Sequence, residues 1–399
     1  MKILCLSDTH IGAGYSHRQD ALADTDAMFQ QVIDLAVERE VDLVLHGGDV
    51  FHRAKPSPAE LHCFRRFTRK LERARVPMIA IEGNGLHSPA PGQPSALALF
   101  ESSFVRTSRT PDVVTEFAGV AVCTLPAVTI GRLVADAGGG DRGELSEQAI
   151  DLLLRTARDL FEATPDDRPR VLLGHWMLSG ASLPTGLPVD ALGGVVLPVH
   201  ELEEIGYDAL VFGDIHRAQE LGDPLGNPAF YCGSPMTMDF GEESVEHGCY
   251  LLGFDEHRAY NYEFMPLQDR GFVTVDVDLI DAIWLDPRLD ETDAIAASIA
   301  EHLPLTDAVV RVRVTGTEDQ WRRVDQDALL RMLADAGVHK LFGGIQWLPV
   351  RETRARAEGL DESLNPLGAV DLWIIAQGLD GWEAASLREL TEAYLAATS

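Results

Sequence analysis

The chain lacks any apolar run of roughly 18 residues, the length a membrane-spanning helix needs, so no span is expected. Its opening stretch, MKILCLSDTH, reads as a first β-strand. It has neither the longer apolar run nor the small-residue cleavage site of a signal peptide. Cysteine is sparse. Cys5, Cys63, Cys123, Cys232 and Cys249 are odd in number and form no CxxC pair, which points to reduced thiols in a cytoplasm. Positive charge is short as well: 33 Lys and Arg face 63 Asp and Glu, a net charge of −30. A nucleic-acid-binding chain ordinarily carries a basic face, and strong negative charge opposes casual contact with polyphosphates. A phosphate-rich substrate would therefore have to meet local positive charge, part of it supplied by metal ions.

Hydrophobic residues make up 46% of the 399, enough for a sizeable core, and the length suggests two domains with a tail. The first third alternates strand and helix. Residues 2–7 form a short apolar strand, 27–38 have helical spacing, and 41–45 are apolar except for Asp42, as in a strand buried on both faces. Ser57-Pro58 opens a helix running to about residue 75, since proline suits a first turn. Met78–Ile81 is the next strand. Further strands are expected at 120–124, 171–174, 209–212, 230–232 and 248–254, with Gly138-Gly139-Gly140-Asp141 as a loop. This order implies an α/β fold with helices covering the sheet. A first domain over 1–266, a small α+β module over 267–350 and a C-terminal tail over 351–399 are expected. The tail contains Ser386-Leu387-Arg388-Glu389, a capping-box signature that starts a short amphipathic helix, packed on its own domain or on a partner.

Five short clusters carry the chemistry, each just after an expected strand. They are Asp8-Thr9-His10, Gly47-Gly48-Asp49-Val50-Phe51-His52, Gly83-Asn84, Gly174-His175 and Gly213-Asp214-Ile215-His216. Loops at one end of such a sheet converge on a common crevice, so Asp, His, Asp, Asn, His and His can meet at one spot. Any one cluster is weak evidence, but the ordered set is strong. Imidazole and carboxylate donors suit Mn²⁺, Fe²⁺ or Zn²⁺. A shared carboxylate such as Asp49 could bridge two ions that clamp a phosphate and activate water. The remaining histidines lack this context and are read as surface or core residues.

The ordered set resembles the calcineurin-like metallophosphoesterase superfamily and, within it, the SbcD/Mre-eleven family of DNA double-strand-break nucleases. Tyr231-Cys232-Gly233-Ser234-Pro235, followed by Asp239-Phe240-Gly241-Glu242, is similar to that family's run after its last metal motif. The resemblance implies a metallophosphoesterase β-sandwich flanked by helices, with residues 267–350 as a small α+β capping domain. It implies two divalent ions, Mn²⁺ foremost: Asp8, His10, Asp49 and His216 around one, and Asp49, Asn84, His175 and Asp214 around the other. It places His52 beside the scissile phosphate. The implied activity is exonucleolytic and endonucleolytic hydrolysis of DNA ends during double-strand break repair. The implied setting is a cytoplasmic, nucleoid-associated homodimer bound to a coiled-coil ATPase of the SbcC/Rad-fifty type, with the C-terminal helix as the natural contact.

Two positions depart from the family pattern. The third motif is expected to read Gly-Asn-His, yet Gly85 stands where the family's proton donor belongs, and His87 lies two residues on. Either His87 folds back into that role, or the site binds metal and DNA and cuts slowly. In the fifth motif Asp214 replaces the first histidine of Gly-His-x-His; a carboxylate still ligates Mn²⁺. Residues 58–75 concentrate Arg65, Arg66, Arg69 and Lys70 with Arg73 and Arg75, which reads either as a DNA-phosphate contact or as a solvated helix face. Two other functions stay open: a phosphodiesterase or phosphatase of the same fold acting on another substrate, and a nuclease-impaired scaffold for DNA or the ATPase.

Overall fold

A computed structural model describes residues 1–13, 18–85, 87–90, 92–117, 119–128, 142–223, 225–258, 260–350, 366–377, 385, 387, 388, 390 and 391. The glycine loop at 138–141, the segment 351–365 and most of the expected C-terminal helix lie outside them. The chain forms two compact units, Met1–Val275 with Ile299–Val312 and Leu330–Ile345, and Asp276–Ser298 with Arg313–Leu329 and Gln346–Ser399.

The first unit is built on two six-stranded sheets. In one, β1 (Lys2–Leu6), β2 (Leu43–His46), β3 (Met78–Ile81) and β4 (Val105–Ser108) run parallel. The other contains β5 (Asp112–Val114), β6 (Ala121–Leu125) and β7 (Arg170–His175). Two short strands, β8 (Met177–Leu178) and β9 (Val196–Leu197), pair separately. Then β10 (Ala209–Gly213), β11 (Gln219–Leu221) and β12 (Ala229–Tyr231) complete the second sheet in the order β11-β12-β10-β7-β6-β5. β13 (Gly248–Phe254) and β14 (Tyr260–Pro266) return to the first, giving β14-β13-β1-β2-β3-β4. Later, β15 (Phe272–Asp278), β16 (Val309–Gly316) and β17 (Lys340–Pro349) make a three-stranded sheet.

The two-residue period of a strand explains why the central strands are apolar throughout. In β1, Ile3 and Cys5 face the core between the sheets, whereas Leu4 and Leu6 face the helices. β10 behaves alike: Ala209 and Val211 point between the sheets, Leu210 and Phe212 outward under the second helical layer. The result is a β-sandwich with helices on its outer faces. α1 (Arg18–Glu38) and α2 (Pro58–Ala74) cover the first sheet. Helix Arg142–Glu162 contributes Ala149, Leu153, Leu154 and Ala157 to the core over the second.

α2 begins where the sequence predicts. Ser57 accepts from the Glu60 amide, the Glu60 side chain accepts from the Ser57 amide, and Pro58 occupies the first turn. It buries Cys63, Phe64, Phe67 and Leu71, with Phe67 stacked on Phe29 of α1 at 4.1 Å. Each such phenyl contributes roughly 1.5–3 kcal/mol on burial. α1 starts well before residue 27, and helix Arg142–Glu162 was not anticipated from the sequence.

The register positions the site. Leu6 lies opposite His46, His46 opposite Ala80, and Gly213 opposite His175. The loops leaving β1, β2 and β3 therefore exit at one end of their sheet, as do those leaving β7 and β10.

Candidate metal centre

The first two loops are tied together by backbone bonds. The amides of Asp8, His10 and Ile11 donate to the carbonyls of Gly48, Asp49 and Val50, and the His52 amide returns to Ile11. This pairing fixes Asp8, His10 and Asp49 before any side-chain bond is counted. Asp8, His10, Asp49 and Asp214 all take positive φ, between 39° and 100°. Such backbone costs on the order of 1–3 kcal/mol per residue and gathers at functional sites. Two glycines are required by contact: a Cβ on Gly83 would overlap the Asp49 carboxylate, and one on Gly48, at φ 105°, would overlap the His175 ring.

The predicted residues meet. His10 Nε2 lies 3.0 Å from His216 Nε2, 3.7 Å from Asp49 Oδ2 and 3.9 Å from Asp8 Oδ1. His175 Nε2 lies 3.5 Å from both Asp49 Oδ2 and Asp214 Oδ1. Asn84 donates to Asp49 through its amide at 3.1 Å and its side chain at 3.2 Å, and reaches Asp214 at 3.4 Å. The Asp214 amide donates to Asp8 at 3.2 Å.

Donor chemistry tests whether this set fits metal. His175 Nδ1 donates to the Gly47 carbonyl at 2.6 Å, so the neutral ring keeps its lone pair on Nε2. That atom is buried, without a hydrogen-bond partner among the described residues, and aimed between two carboxylates. His216 is oriented the same way, its Nδ1 held by Glu242. Burial pushes both imidazoles down, but the surrounding acids reverse this. Asp49, Asp8 and Asp214 lift His175 to about 10, and Glu242, Asp8 and Asp49 lift His216 to about 9. Burial pushes Asp8 up to about 6 against the pull of His175 and His216. Asp49, though burial opposes it, is held down at about 2 by His175 and His10. The cluster thus demands positive charge, and divalent ions satisfy that demand without protonating the lone pairs. Asp8–His10–His216 and Asp8–Asp49–His175 each have donor atoms close enough for one ion.

His52 and His87 stand at the edge of this group with His10, their donor atoms near enough to form a third cluster. A turn in which the amides of His87 and Ser88 both donate to the Asn84 carbonyl swings His87 inward. His87 Nδ1 donates to the His52 carbonyl at 2.7 Å, and Nε2 comes within 3.8 Å of Asp49 Oδ2. Buried Glu82 accepts from Ser88 at 2.7 Å and holds the loop from below. Burial, His87 and Arg53 lower the His52 pKa.

The basic residues of α2 are more committed than their composition suggests. Arg66 pairs with Asp26, Arg65 donates to the Leu99 carbonyl at 2.9 Å over the Phe100 ring, and Lys70 donates to Gln30. Arg69 is exposed, with no partner among the described residues. The sequence reading gave no role to Glu242 or Ser7. The first orients His216, and the second donates to Asp8 at 2.5 Å. The signal for Glu242 was chemical rather than positional, since metal-bound imidazoles usually donate their other nitrogen to a carboxylate or carbonyl. His46 is a core residue bonded to Thr9 at 3.0 Å.

The DNA double-strand break repair protein Mre11 of Haloferax volcanii is 27% identical over 317 residues, covering 79% of this chain. The chain spans 61% of that relative's length. The SbcD component of the SbcCD nuclease of Escherichia coli K12 is 22% identical over 400 residues, covering 91% of this chain and 94% of that protein. A solved dimetal phosphatase from Danio rerio covers 63% of this chain and 92% of its own at 9% identity, with a TM-score of 0.38. The calcineurin-like phosphoesterase model matches residues 1–218, more than half of the chain, which therefore belongs to the calcineurin-like phosphoesterase family.

Proposed function

We propose that the chain is a Mn²⁺-dependent DNA exonuclease and endonuclease subunit acting on double-strand breaks. The observation that carries this reading is the convergence of all five loop clusters on one buried Asp/His centre, in a chain similar to Mre11 and SbcD over most of its length. The family's fold binds two divalent ions. Asp8, His10, Asp49 and His216 would hold one, and Asp49, Asn84, His175 and Asp214 the other. Bound there, they would polarise the phosphate and lower the pKa of water.

The chain's own residues do the rest. Asp49 lies between the two donor groups and ties them together. Glu242 and the Gly47 carbonyl fix the tautomers of His216 and His175, so both present Nε2. His52, with its pKa lowered, is neutral near pH 7 and hydrogen-bonds the scissile phosphate without taking its charge. His87 fills the place left by Gly85: its Nδ1–H is committed to the His52 carbonyl, so it is the doubly protonated imidazolium that carries on Nε2 the proton passed to the leaving oxygen. DNA phosphates meet α2 at Arg69, with Arg65, Arg66 and Lys70 adding to the local field. Residues 267–350 act as the capping domain, two copies pair as a homodimer, and a coiled-coil ATPase of the SbcC/Rad-fifty type binds the tail over 351–399. The working location is the cytoplasm at the nucleoid; among the described residues no helix is long and apolar enough to cross a membrane.

Incubation with Mn²⁺ and end-labelled duplex, alongside a small phosphodiester, tests this. Cleavage of both is expected. Cleavage of the small ester alone would assign another phosphodiester substrate, a reading favoured by the charge of −30 and the internal pairing of Arg66. Inactivity on both with metal still bound would leave a scaffold.

A further inference from the structure

His46 is the last residue of β2 and falls, by the two-residue period of a strand, on the face that Val44 presents to the layer of α1 and α2. It is fully buried. A polar ring on an apolar face is costly unless it is hydrogen-bonded. The Thr9 hydroxyl donates to the Val50 carbonyl at 3.1 Å, so its oxygen is left to accept from His46 Nε2, 3.0 Å away. Burial and the neighbouring His175 push the His46 pKa down to about 3, so the ring is neutral and its one ring N–H is at Nε2. Nδ1 is then a bare lone pair, buried with no hydrogen-bond partner among the described residues. The bonds run from a strand fixed in register between β1 and β3, through Thr9, to the second loop. Thr9 itself stands between two of the proposed metal donors. Asp8 takes φ 51° and His10 φ 39°, a region that side-chain-bearing residues rarely adopt. The amides of Asp8 and His10 bond to the second loop, and the Thr9 hydroxyl adds a tie between them.

We propose that His46 is a positioning residue for one of the two ions: by donating to Thr9 it holds the Asp8-Thr9-His10 turn in the shape that presents both donors before metal arrives. The inference rests on the reading of Asp8, His10, Asp49 and His216 as one ion's donors. A turn whose flanking residues both sit at positive φ relaxes readily once its central tie is cut. His46 makes no contact with the ion and acts through Thr9. The other ion draws Asn84, His175 and Asp214 from loops that the His46–Thr9 bond does not hold, so its affinity should change little.

Calorimetric titration of the metal-free full chain with Mn²⁺ tests this, with electron paramagnetic resonance following the coupled ion pair. The unaltered chain is expected to bind two equivalents. His46→Leu keeps the bulk and removes the donor. One equivalent should then weaken about 10-fold, the lower end of what outer partners of metal ligands contribute, while the other holds. Thr9→Val should do the same, and combining the two should add little. His46→Gln, whose amide nitrogen reaches the place of Nε2, should restore tight binding; His46→Asn, one carbon shorter, should not. Glu242→Gln acts through His216 on the same ion, so joined to His46→Leu it should still leave one tight equivalent. Two tight equivalents in both His46→Leu and Thr9→Val would overturn the proposal with the metal centre standing. Equal weakening of both ions, or a loss that His46→Gln does not restore, would also overturn it, since either marks a packing role alone. If the unaltered chain binds no Mn²⁺, the reading of the centre fails, and the proposal with it.

Discussion

Replacing His87 with alanine isolates the step that the sequence leaves most exposed. The imidazole is held by one strong bond, Nδ1 to the His52 carbonyl at 2.7 Å, and its other nitrogen faces the Asp49 side of the centre at 3.8 Å. It is not among the seven proposed metal donors, so its removal should leave metal content unchanged. A positioned general acid is worth about 10²–10⁴-fold in rate, or about 2.7–5.5 kcal/mol of barrier. The loss should depend on the leaving group. A DNA 3′-oxygen departs as a strongly basic alkoxide and needs the proton, whereas p-nitrophenolate departs unaided. His87→Ala should therefore slow DNA cleavage by about 10²-fold or more while changing hydrolysis of bis(p-nitrophenyl) phosphate by less than about threefold. Single-turnover rates on both substrates, with metal content measured in parallel, make the comparison. Equal losses on the two esters would mean that His87 supports the centre's geometry, and no loss on either would remove it from the mechanism.

Four further outcomes follow from the geometry. Glu242→Gln should weaken metal affinity about 10–100-fold, because the His216 ring loses the carboxylate that orients it; titration with Mn²⁺ reads this directly. Chelation should lower the melting temperature by about 3–5 °C, the shift for roughly 2.7 kcal/mol of linked binding at a hundredfold excess over Kd; calorimetry with and without EDTA, then with Mn²⁺ restored, checks it. Ser57→Ala should cost about 0.5–2 kcal/mol in urea unfolding by removing one half of the α2 capping box. All five cysteines are buried, and burial raises every thiol, with Cys63 and Cys249 pushed up to about 12. Ellman's reagent should therefore find no reactive thiol in the native chain and five after denaturation; prompt reaction in the native state would contradict the buried placement.

Much of the site was legible because its signals are local. A strand that ends in Gly-Asp or Gly-His announces both the turn and the donor, and parallel register then carries separate loops to one end of the sheets. The α2 boundary was legible for the same reason, since Ser57, Pro58 and Glu60 act on their own neighbourhood. What could not be read were facts of long-range packing. Arg65, Arg66 and Lys70 look like a free basic stripe until α1 and Leu99 come alongside and occupy them. Glu242 is one acid among many until His216, 26 residues away in sequence, is placed against it. His87 marks the boundary between the two kinds of information. Its spacing from Asn84 made an inward turn conceivable, but the turn depends on Glu82 holding Ser88 and on the His52 carbonyl arriving from a different strand's loop. A motif scan that demanded histidine at position 85 would score the site as broken. Under the proposed role the imidazole has only to reach a point in space, and a two-residue shift along a tight turn can return a side chain to that point.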